Sequence, residues 1–312
     1  MLKYVLKRVG YILVTLWVIV TCTFFMMKNL PGTPFDAERF SIMTPQQQER
    51  VLEMYGLNDS LPMQYVKYIK NMLKGDLGTS FTYVNQDVSK VITGRLGPSA
   101  LIGIQAVLIG LAIGLILGIL AAWKHNSGID YFTMILAVLG VSVPNFVAAA
   151  LLQYYIGLKW GVLPVGFWTG WNCSVLPSIA LSFSATAMVA RFMRTEMLDV
   201  LDQDYIVTAR AKGLSQMKVL MRHAVRNSIL PVVTILGPIV VNLMTGSLAV
   251  ENIFSIPGIG SLFVDCIKAN DYPVIMGITI FYAAFYMLVV LLVDLAYSLI
   301  DPRIRLAKGK ES

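Results

Sequence analysis

Charged residues and histidine are scarce in this chain of 312 residues. Asp, Glu, Lys and Arg make up 14% of it, and histidine occurs only as His125 and His223. The H-E-x-x-H and G-x-S-x-G patterns are both missing from the sequence, which argues against an intramembrane enzyme. G-x-x-x-x-G-K-[ST] is missing too, so ATP chemistry would have to come from another subunit. Three cysteines cannot form a disulfide framework, and whether Cys173 and Cys266 pair stays open.

Apolar residues, in contrast, are abundant. They make up 56% of the chain, and the mean hydropathy is +0.68, which is typical of an integral membrane protein. The runs are long enough to cross a bilayer as helices of about twenty residues. We therefore predict an all-α integral membrane protein with six transmembrane helices, at roughly 11–27, 99–123, 130–158, 174–194, 229–250 and 273–300.

The distribution of basic residues predicts the orientation of these spans. The net charge of +7 could indicate a nucleic-acid partner. However, the basic residues of the short loops concentrate on one side, as expected for cytoplasmic loops. The N- and C-termini are then cytoplasmic, and no nucleic acid is expected.

The same topology divides the chain into four regions. The segment after the first span is polar but carries helix signals, so we expect a folded helical extracellular insertion. The regions are the N-terminal cytoplasmic end and first span (1–30), the insertion (31–97), a core with five spans and a cytoplasmic loop at 195–228 (98–302), and a cytoplasmic basic tail (303–312).

Two helices are predicted within the insertion. The first begins with a capping box at Thr44–Gln47 and stops at Gly56. The second runs from about Pro62 to Lys74, ends at Gly75, and presents Val66, Ile69 and Leu73 on one face.

Small and polar residues inside the spans have two interpretations each. Gly110, Gly114 and Gly118 favour close packing, against either a helix of the same chain or a partner subunit. Pro144 and the Gly237–Pro238 pair are expected to kink or interrupt their spans. Asn145, Gln153 and Asn242 are candidates to line a polar translocation path, the alternative being interhelical hydrogen bonds without a transport role. Asp294 could pair with Arg191 or Arg194.

The basic loop from Asp204 to Pro231 has internal structure. A short helix is predicted from Tyr205 to Lys212, with Gly213 as its stop. Ser215 can cap a second, amphipathic helix whose apolar positions are Met217, Leu220, Met221 and Ala224. The first helix would project furthest from the membrane, where it could carry force from a soluble partner. An ordinary juxtamembrane basic loop is the alternative.

Several motifs in the same chain resemble bacterial ABC importer permeases of the peptide and nickel group. They are NLPGTP at 29–34, KGDLGTSF at 74–81, TARAKG at 208–213, RHAVRN at 222–227, ENIFSIPGIGSLF at 251–263 and DPRIR at 301–305. The resemblance covers nearly the whole chain and is strongest to the B-type subunit of oligopeptide or dipeptide importers. It implies the type I ABC importer fold.

The resemblance also implies a function, import of oligopeptides or dipeptides by a translocase subunit that is not itself an enzyme. A permease for nickel or a glutathione-like substrate, and an ion-coupled secondary transporter, are the alternatives. The partners would be a second, C-type permease, two cytoplasmic ATPases that bind ATP and Mg, an extracellular or periplasmic binding protein, and lipid of the bacterial cell membrane. The residues expected to couple to the ATPase are Tyr205, Thr208, Ala209, Arg210, Ala211, Lys212 and Gly213. No cofactor is expected in this chain.

Overall fold

The computed structural model describes residues 2–29, 40, 42–54, 56–83, 86–244 and 248–300, and helices dominate them. The α-helices in chain order are α1 (Leu2–Lys28), α2 (Pro45–Met54), α3 (Leu61–Leu73), α4 (Val88–Trp123), α5 (Gly128–Ser142), α6 (Asn145–Leu152), α7 (Val175–Leu201), α8 (Asp204–Ala211), α9 (Gln216–Lys218), α10 (Arg226–Met244), α11 (Leu248–Ile253), α12 (Ile259–Lys268) and α13 (Tyr272–Ile300). Two π-helical segments, Gln153–Lys159 and Val219–Val225, continue α6 and α9, and a 3₁₀ turn at Trp171–Ser174 precedes α7.

The chain folds as two compact units. The first, which we call the N-terminal unit, comprises Met1–Gly97 and Ile259–Phe285, and the second, the core unit, comprises Pro98–Gly258 and Tyr286–Ser312. Helices α4 and α13 contribute residues to both. The four regions predicted from the sequence are defined by the side of the membrane and not by compactness. That division stays a prediction.

Among the described residues, five helices are long and apolar enough to cross a membrane, and a sixth span results if α5 and the segment from α6 to Lys159 count as one. This pair is bent by 100° at Val143 and Pro144. Pro144 lacks the N–H that would continue the helix of α5 and disfavours helical geometry in the residue before it. With 15 residues, α5 is about 22 Å long and cannot cross a hydrocarbon core of about 30 Å alone. The span predicted at 130–158 is thus bent at Pro144, where the sequence predicted a kink.

The other expected interruption is absent from the structure. Helix α10 runs through Pro231 and Pro238 to Met244 without a break, although the Gly237–Pro238 pair was expected to interrupt the span. Gly237 faces the side chain of Val293 on α13, 3.2 Å from where a Cβ would lie. At this position the glycine gives room to a neighbouring helix.

Glycines allow α4 and α7 to pack closely in the core unit. A Cβ on Gly110 would lie 2.8 Å from Ala185 Cβ, one on Gly114 would lie 2.7 Å from Val189 Cβ, and one on Gly118 would lie 2.6 Å from the carbonyl oxygen of Ala190. Gly140 of α5 approaches α7 in the same way. The repeated glycines thus pack against a helix of the same chain, the first of the two interpretations.

The helices α2 and α3 of the N-terminal unit begin and end as the sequence predicts. Thr44 and Gln47 form the capping box, in which the Thr44 N–H donates to Gln47 Oε1 at 2.9 Å. Gly56 and Gly75 both have positive φ, 64° and 83°, as helix-stopping glycines do.

The buried face of α3 differs from the expected one. Val66 and Leu73 are exposed, whereas Tyr65, Tyr68, Ile69 and Met72 pack on Val20 and Phe24 of α1 and on Met276 of α13. The Thr21 and Tyr65 hydroxyls are hydrogen-bonded at 2.7 Å. The aromatic rings carry more apolar area than Val66 or Leu73, which explains why their side of the helix is buried.

Candidate functional site

Helix α8 is a short element with a well-defined end. The Gly213 N–H donates to the carbonyl of Arg210 at 2.9 Å, and the Leu214 N–H donates to that of Ala209 at 3.4 Å. These are the two hydrogen bonds of a Schellman motif, which requires a residue with positive φ after the helix cap. Gly213 has φ +76° and ends the helix, as the sequence predicts.

The buried face of α8 holds it on the core unit. Ile206 and Ala209 are buried against Val219, with Val200 and Leu201 beside them. Ala209 is 5% exposed, so it supports the helix and offers a partner almost no surface. Ile206, which the sequence reasoning did not single out, is fully buried and has the same role.

The remaining six of the seven predicted coupling residues are exposed. The exposed side of α8 carries Tyr205, Thr208 and Arg210. Its C-terminal end carries Ala211, Lys212 and Gly213. Val207, which is 60% exposed, lies among them. This surface is small, amphipathic and carries two cations. We call it the α8 surface. Its coupling role is a prediction that the structure alone does not test.

The next helical segment differs from the amphipathic helix expected there. Ser215 lies at the N-cap position of α9, but its hydroxyl makes no capping hydrogen bond. Leu220 and Ala224 are buried as predicted, whereas Met217 and Met221 are exposed and Val219 is buried instead. Residues 219–225 are π-helical, and i→i+5 hydrogen bonding widens the turn, which shifts side chains from the positions of an α-helical stripe.

Side-chain hydrogen bonds connect α8 and α7 to the helix that follows. Asn227 Nδ2 donates to the Tyr205 hydroxyl at 3.2 Å. The Ser228 hydroxyl donates to the carbonyl of Glu196 at 3.2 Å and to that of Ala224 at 2.9 Å. These bonds join α8 to α10 and α10 to α7, and α8 also packs on Val200 and Leu201 of α7.

The three candidate path residues occupy different environments. Gln153 Nε2 donates to the carbonyl of Val165 at 2.6 Å and to that of Ile253 at 2.7 Å, which ties three segments together. This arrangement favours the structural interpretation for Gln153. Asn145 is half-buried directly after the bend, and Asn242 is exposed on α10. Their contribution to a path stays a prediction.

A charge cluster that the sequence reasoning missed joins α5 to α7. Asp130 is buried, and Arg194 donates to it through Nε at 2.6 Å and Nη2 at 2.8 Å. His125 Nδ1 lies 3.2 Å from the same carboxylate, and the Asn126 N–H donates to it at 3.0 Å. Arg194 thus pairs with Asp130, whereas the sequence suggested Asp294, whose side chain lies outside the described residues. Asp130 and Arg194 both lie at the predicted cytoplasmic ends of their spans. This shared position is the sequence signal that could have indicated the pair.

A buried glutamate in the ENIFSIPGIGSLF segment was also missed. Glu251 is 1% exposed and accepts a hydrogen bond from the Ser99 hydroxyl at 2.7 Å. Gly258 leaves it room, because a Cβ there would lie 2.3 Å from the Glu251 carboxyl group. Helix α12 begins at Ile259, directly after this glycine.

Two further expectations have simple outcomes. Cys173 and Cys266 are free thiols, and burial raises the pKa of the Cys266 thiol to about 12. NLPGTP extends into residues 30–34, and DPRIR and the tail at 303–312 follow residue 300, so these segments lie wholly or largely outside the described residues.

The arrangement of helices is shared with solved ABC transporter structures. An amino acid ABC transporter solved with histidines matches 69% of this chain and 94% of its own, with a TM-score of 0.51 and 20% identity. The MetNI methionine ABC transporter in inward facing conformations matches 67% and 94%, with a TM-score of 0.52 and 13% identity. The fold is that of the type I ABC importer permeases.

Sequence comparison then assigns the family. Residues 114–306 match the model of the binding-protein-dependent transport system inner membrane component, and residues 1–96 match the N-terminal model of the same system. The chain belongs to this family of ABC transporter permeases.

Full-length relatives are similar throughout. The dipeptide transport system permease protein DppB of Lactococcus lactis is 46% identical, over 98% of this chain and 100% of its own. DppB of Bacillus subtilis is 43% identical over 99% of both chains, and the oligopeptide transport system permease protein OppB of Salmonella typhimurium is 39% identical over 98% and 100%.

Proposed function

We propose that this chain is the membrane-spanning permease subunit of an ATP-driven importer of dipeptides or oligopeptides. The relatives that match it from end to end are named for dipeptide or oligopeptide transport, and this observation carries the substrate class. Nickel or a glutathione-like substrate is the alternative within the same family. The chain has no ATP-binding motif, so ATP and Mg would be bound by partner subunits.

The complete transporter would contain this chain, a second homologous permease, two cytoplasmic ATPases and a binding protein outside the membrane. The α8 surface would dock into the ATPase, with both termini of the permease in the cytoplasm. Closure of the ATPase pair on ATP would move α8 together with α7 and α10, to which it is tied. An ion-coupled transporter would instead need titratable groups along its path.

A charge placed on the α8 surface tests the docking. We expect Val207→Glu to lower the amount of ATPase that copurifies with the permease by about tenfold or more, because it buries a charge without a partner in the interface. Val66→Glu is the matched control, since Val66 is 59% exposed, as Val207 is 60%, but lies on α3. Equal copurification for the two variants would show that α8 is not the docking element.

A further inference from the structure

The N-terminal unit contains a cavity that neither the α8 surface nor the candidate path uses. Its volume is about 370 Å³, within the usual range of small-molecule sites. The end of α1, the end of α2 with residues 56–57, helix α3, the loop at 76–81 and the start of α13 surround it. The lining residues that decide its chemistry are Phe24, Lys28, Glu53, Tyr68, Phe81 and Tyr272.

Four aromatic side chains contribute to the walls of the cavity. The ring centres of Phe24 and Tyr68 are 5.9 Å apart, and those of Phe81 and Tyr272 are 6.2 Å apart in an edge-to-face arrangement. Leu77 and Met276 add aliphatic surface. Such walls suit an apolar side chain, because rings and methyl groups gain free energy when water is removed from between them.

Lys28 introduces a positive charge into this apolar surrounding. Its Nζ lies 5.8 Å from the centre of the Phe24 ring and 5.9 Å from that of Tyr272. The side chain is half-buried, and no carboxylate of the described residues lies within ion-pair distance of it. A partly desolvated ammonium group held between two rings attracts an oxyanion.

Tyr68 supplies a second donor. Its hydroxyl is the one buried side-chain polar atom among the described residues without a hydrogen-bond partner. Burial raises the pKa of this hydroxyl above its usual value, so it stays protonated and can donate. A buried hydroxyl without a partner is unfavourable, and a ligand oxygen would satisfy it.

The other charged groups of the cavity differ in how they are engaged. Lys67 pairs with Asp59 at 2.6 Å, and Asp76 accepts the Gly78 N–H at 2.8 Å. Glu53 is exposed and has no ion-pair partner among the described residues. Among the described residues that line the cavity, Lys28 is therefore the cation without an ion-pair partner, and Glu53 is the anion with neither an ion-pair partner nor a hydrogen bond to its carboxylate.

We propose that this cavity binds a small zwitterion with an apolar side chain, such as a free amino acid. Lys28 and Tyr68 bind its carboxylate, Glu53 its ammonium group, and the aromatic walls its side chain. The site goes beyond the proposed import, because it lies within the N-terminal unit and does not depend on the ATPase or on the substrate of transport.

Titration calorimetry on the full-length protein in phosphatidylcholine nanodiscs tests this proposal. We expect phenylalanine to bind, and N-acetylphenylalanine and phenylalaninamide, which each lack one charge, to bind about tenfold more weakly. Lys28→Gln should weaken binding of phenylalanine by a similar factor, and Tyr68→Phe by several-fold. Lys67→Gln is the matched control in the same cavity and should leave binding unchanged, because Lys67 is already paired.

A lipid headgroup carries the same two charges as a soluble zwitterion. A second calorimetry experiment distinguishes these two ligands. If the ligand is soluble, the protein should bind phenylalanine equally well in nanodiscs with phosphatidylethanolamine and in nanodiscs of phosphatidylcholine. Loss of that binding with phosphatidylethanolamine, and its recovery in phosphatidylcholine alone, would assign the cavity to the phosphatidylethanolamine headgroup and overturn the proposal. The proposal is overturned if phenylalanine does not bind to the protein in phosphatidylcholine nanodiscs. It is also overturned if the Lys28→Gln variant, shown by its thermal unfolding to be folded, binds phenylalanine with the affinity of the unaltered protein.

Discussion

Gly114 shows how a single missing side chain determines the packing of two helices. Its Cα lies so close to α7 that a Cβ would also be 2.9 Å from the carbonyl oxygen of Thr186. The sequence predicts the close approach from the spacing of the glycines, because small residues are what such an approach requires. It does not identify the partner, since periodicity describes one helix and not the surface that covers it.

An alanine at Gly114 should therefore destabilise the protein by about 1–3 kcal/mol, as overpacking of a tight contact does. Gly97→Ala on the same helix is the control, because nothing lies within 4 Å of a Cβ there. It should be neutral or stabilising by up to about 1 kcal/mol, since alanine favours a helix over glycine. Thermal unfolding in detergent compares the two. Equal losses would contradict the packing described for α4 and α7.

Asp130 is the clearest residue that the sequence left undetected. Its importance comes from Arg194 and His125, which approach it from 64 and 5 residues away. A single acidic residue in the first turn of a span is an ordinary helix-capping feature, so only the three-dimensional arrangement distinguishes it.

Removing the Asp130 charge should cost about 3–5 kcal/mol, because Arg194 would remain partly buried without its anion. We expect Asp130→Asn to lower the midpoint of thermal unfolding by several degrees. Asp87→Asn serves as the control, since the Asp87–Lys90 pair at 3.2 Å is exposed and contributes about 0–1 kcal/mol. A shift no larger than that of the control would show that the cluster does not stabilise the core unit.

At the scale of elements, the sequence predicted the ends of helices well and their buried faces less well. Thr44, Gly56, Gly75 and Gly213 mark helix ends as expected, because the chemistry of a cap is local. The buried faces of α3 and of the segment after Ser215 were partly wrong. In α3 the aromatic side was preferred for packing, and in residues 219–225 the turn is wider than that of an α-helix.

The hinge at Gly213 can be tested against an equivalent glycine elsewhere. A valine in the left-handed region is strained by about 1–2 kcal/mol, and at Gly213 it would shift the end of α8. We expect Gly213→Val to reduce uptake strongly while the protein still inserts. Gly75→Val, also at a positive φ with open space around it, should cost similar stability and keep uptake. Unaltered uptake with Gly213→Val would refute a coupling role for the end of α8.

For the whole molecule, composition alone identified a helical membrane protein, and the order of motifs along the chain identified the family. The bend of 100° after α5 was not foreseen in size, although Pro144 was recognised as a kink. A proline shows where a helix weakens, whereas the angle depends on tertiary contacts such as those that Gln153 makes to Val165 and Ile253. The cavity in the N-terminal unit is lined by five separate segments and has no signature in the sequence.

The central claim is that separate cytoplasmic ATPase subunits drive transport through this permease. Transport in proteoliposomes tests it most directly. The purified permease pair, ATPases and binding protein are reconstituted with a labelled dipeptide, and uptake is measured with ATP, without ATP, and with an imposed proton or sodium gradient alone. The account predicts uptake that requires both the ATPases and ATP. Uptake driven by the gradient in the absence of ATP would contradict it.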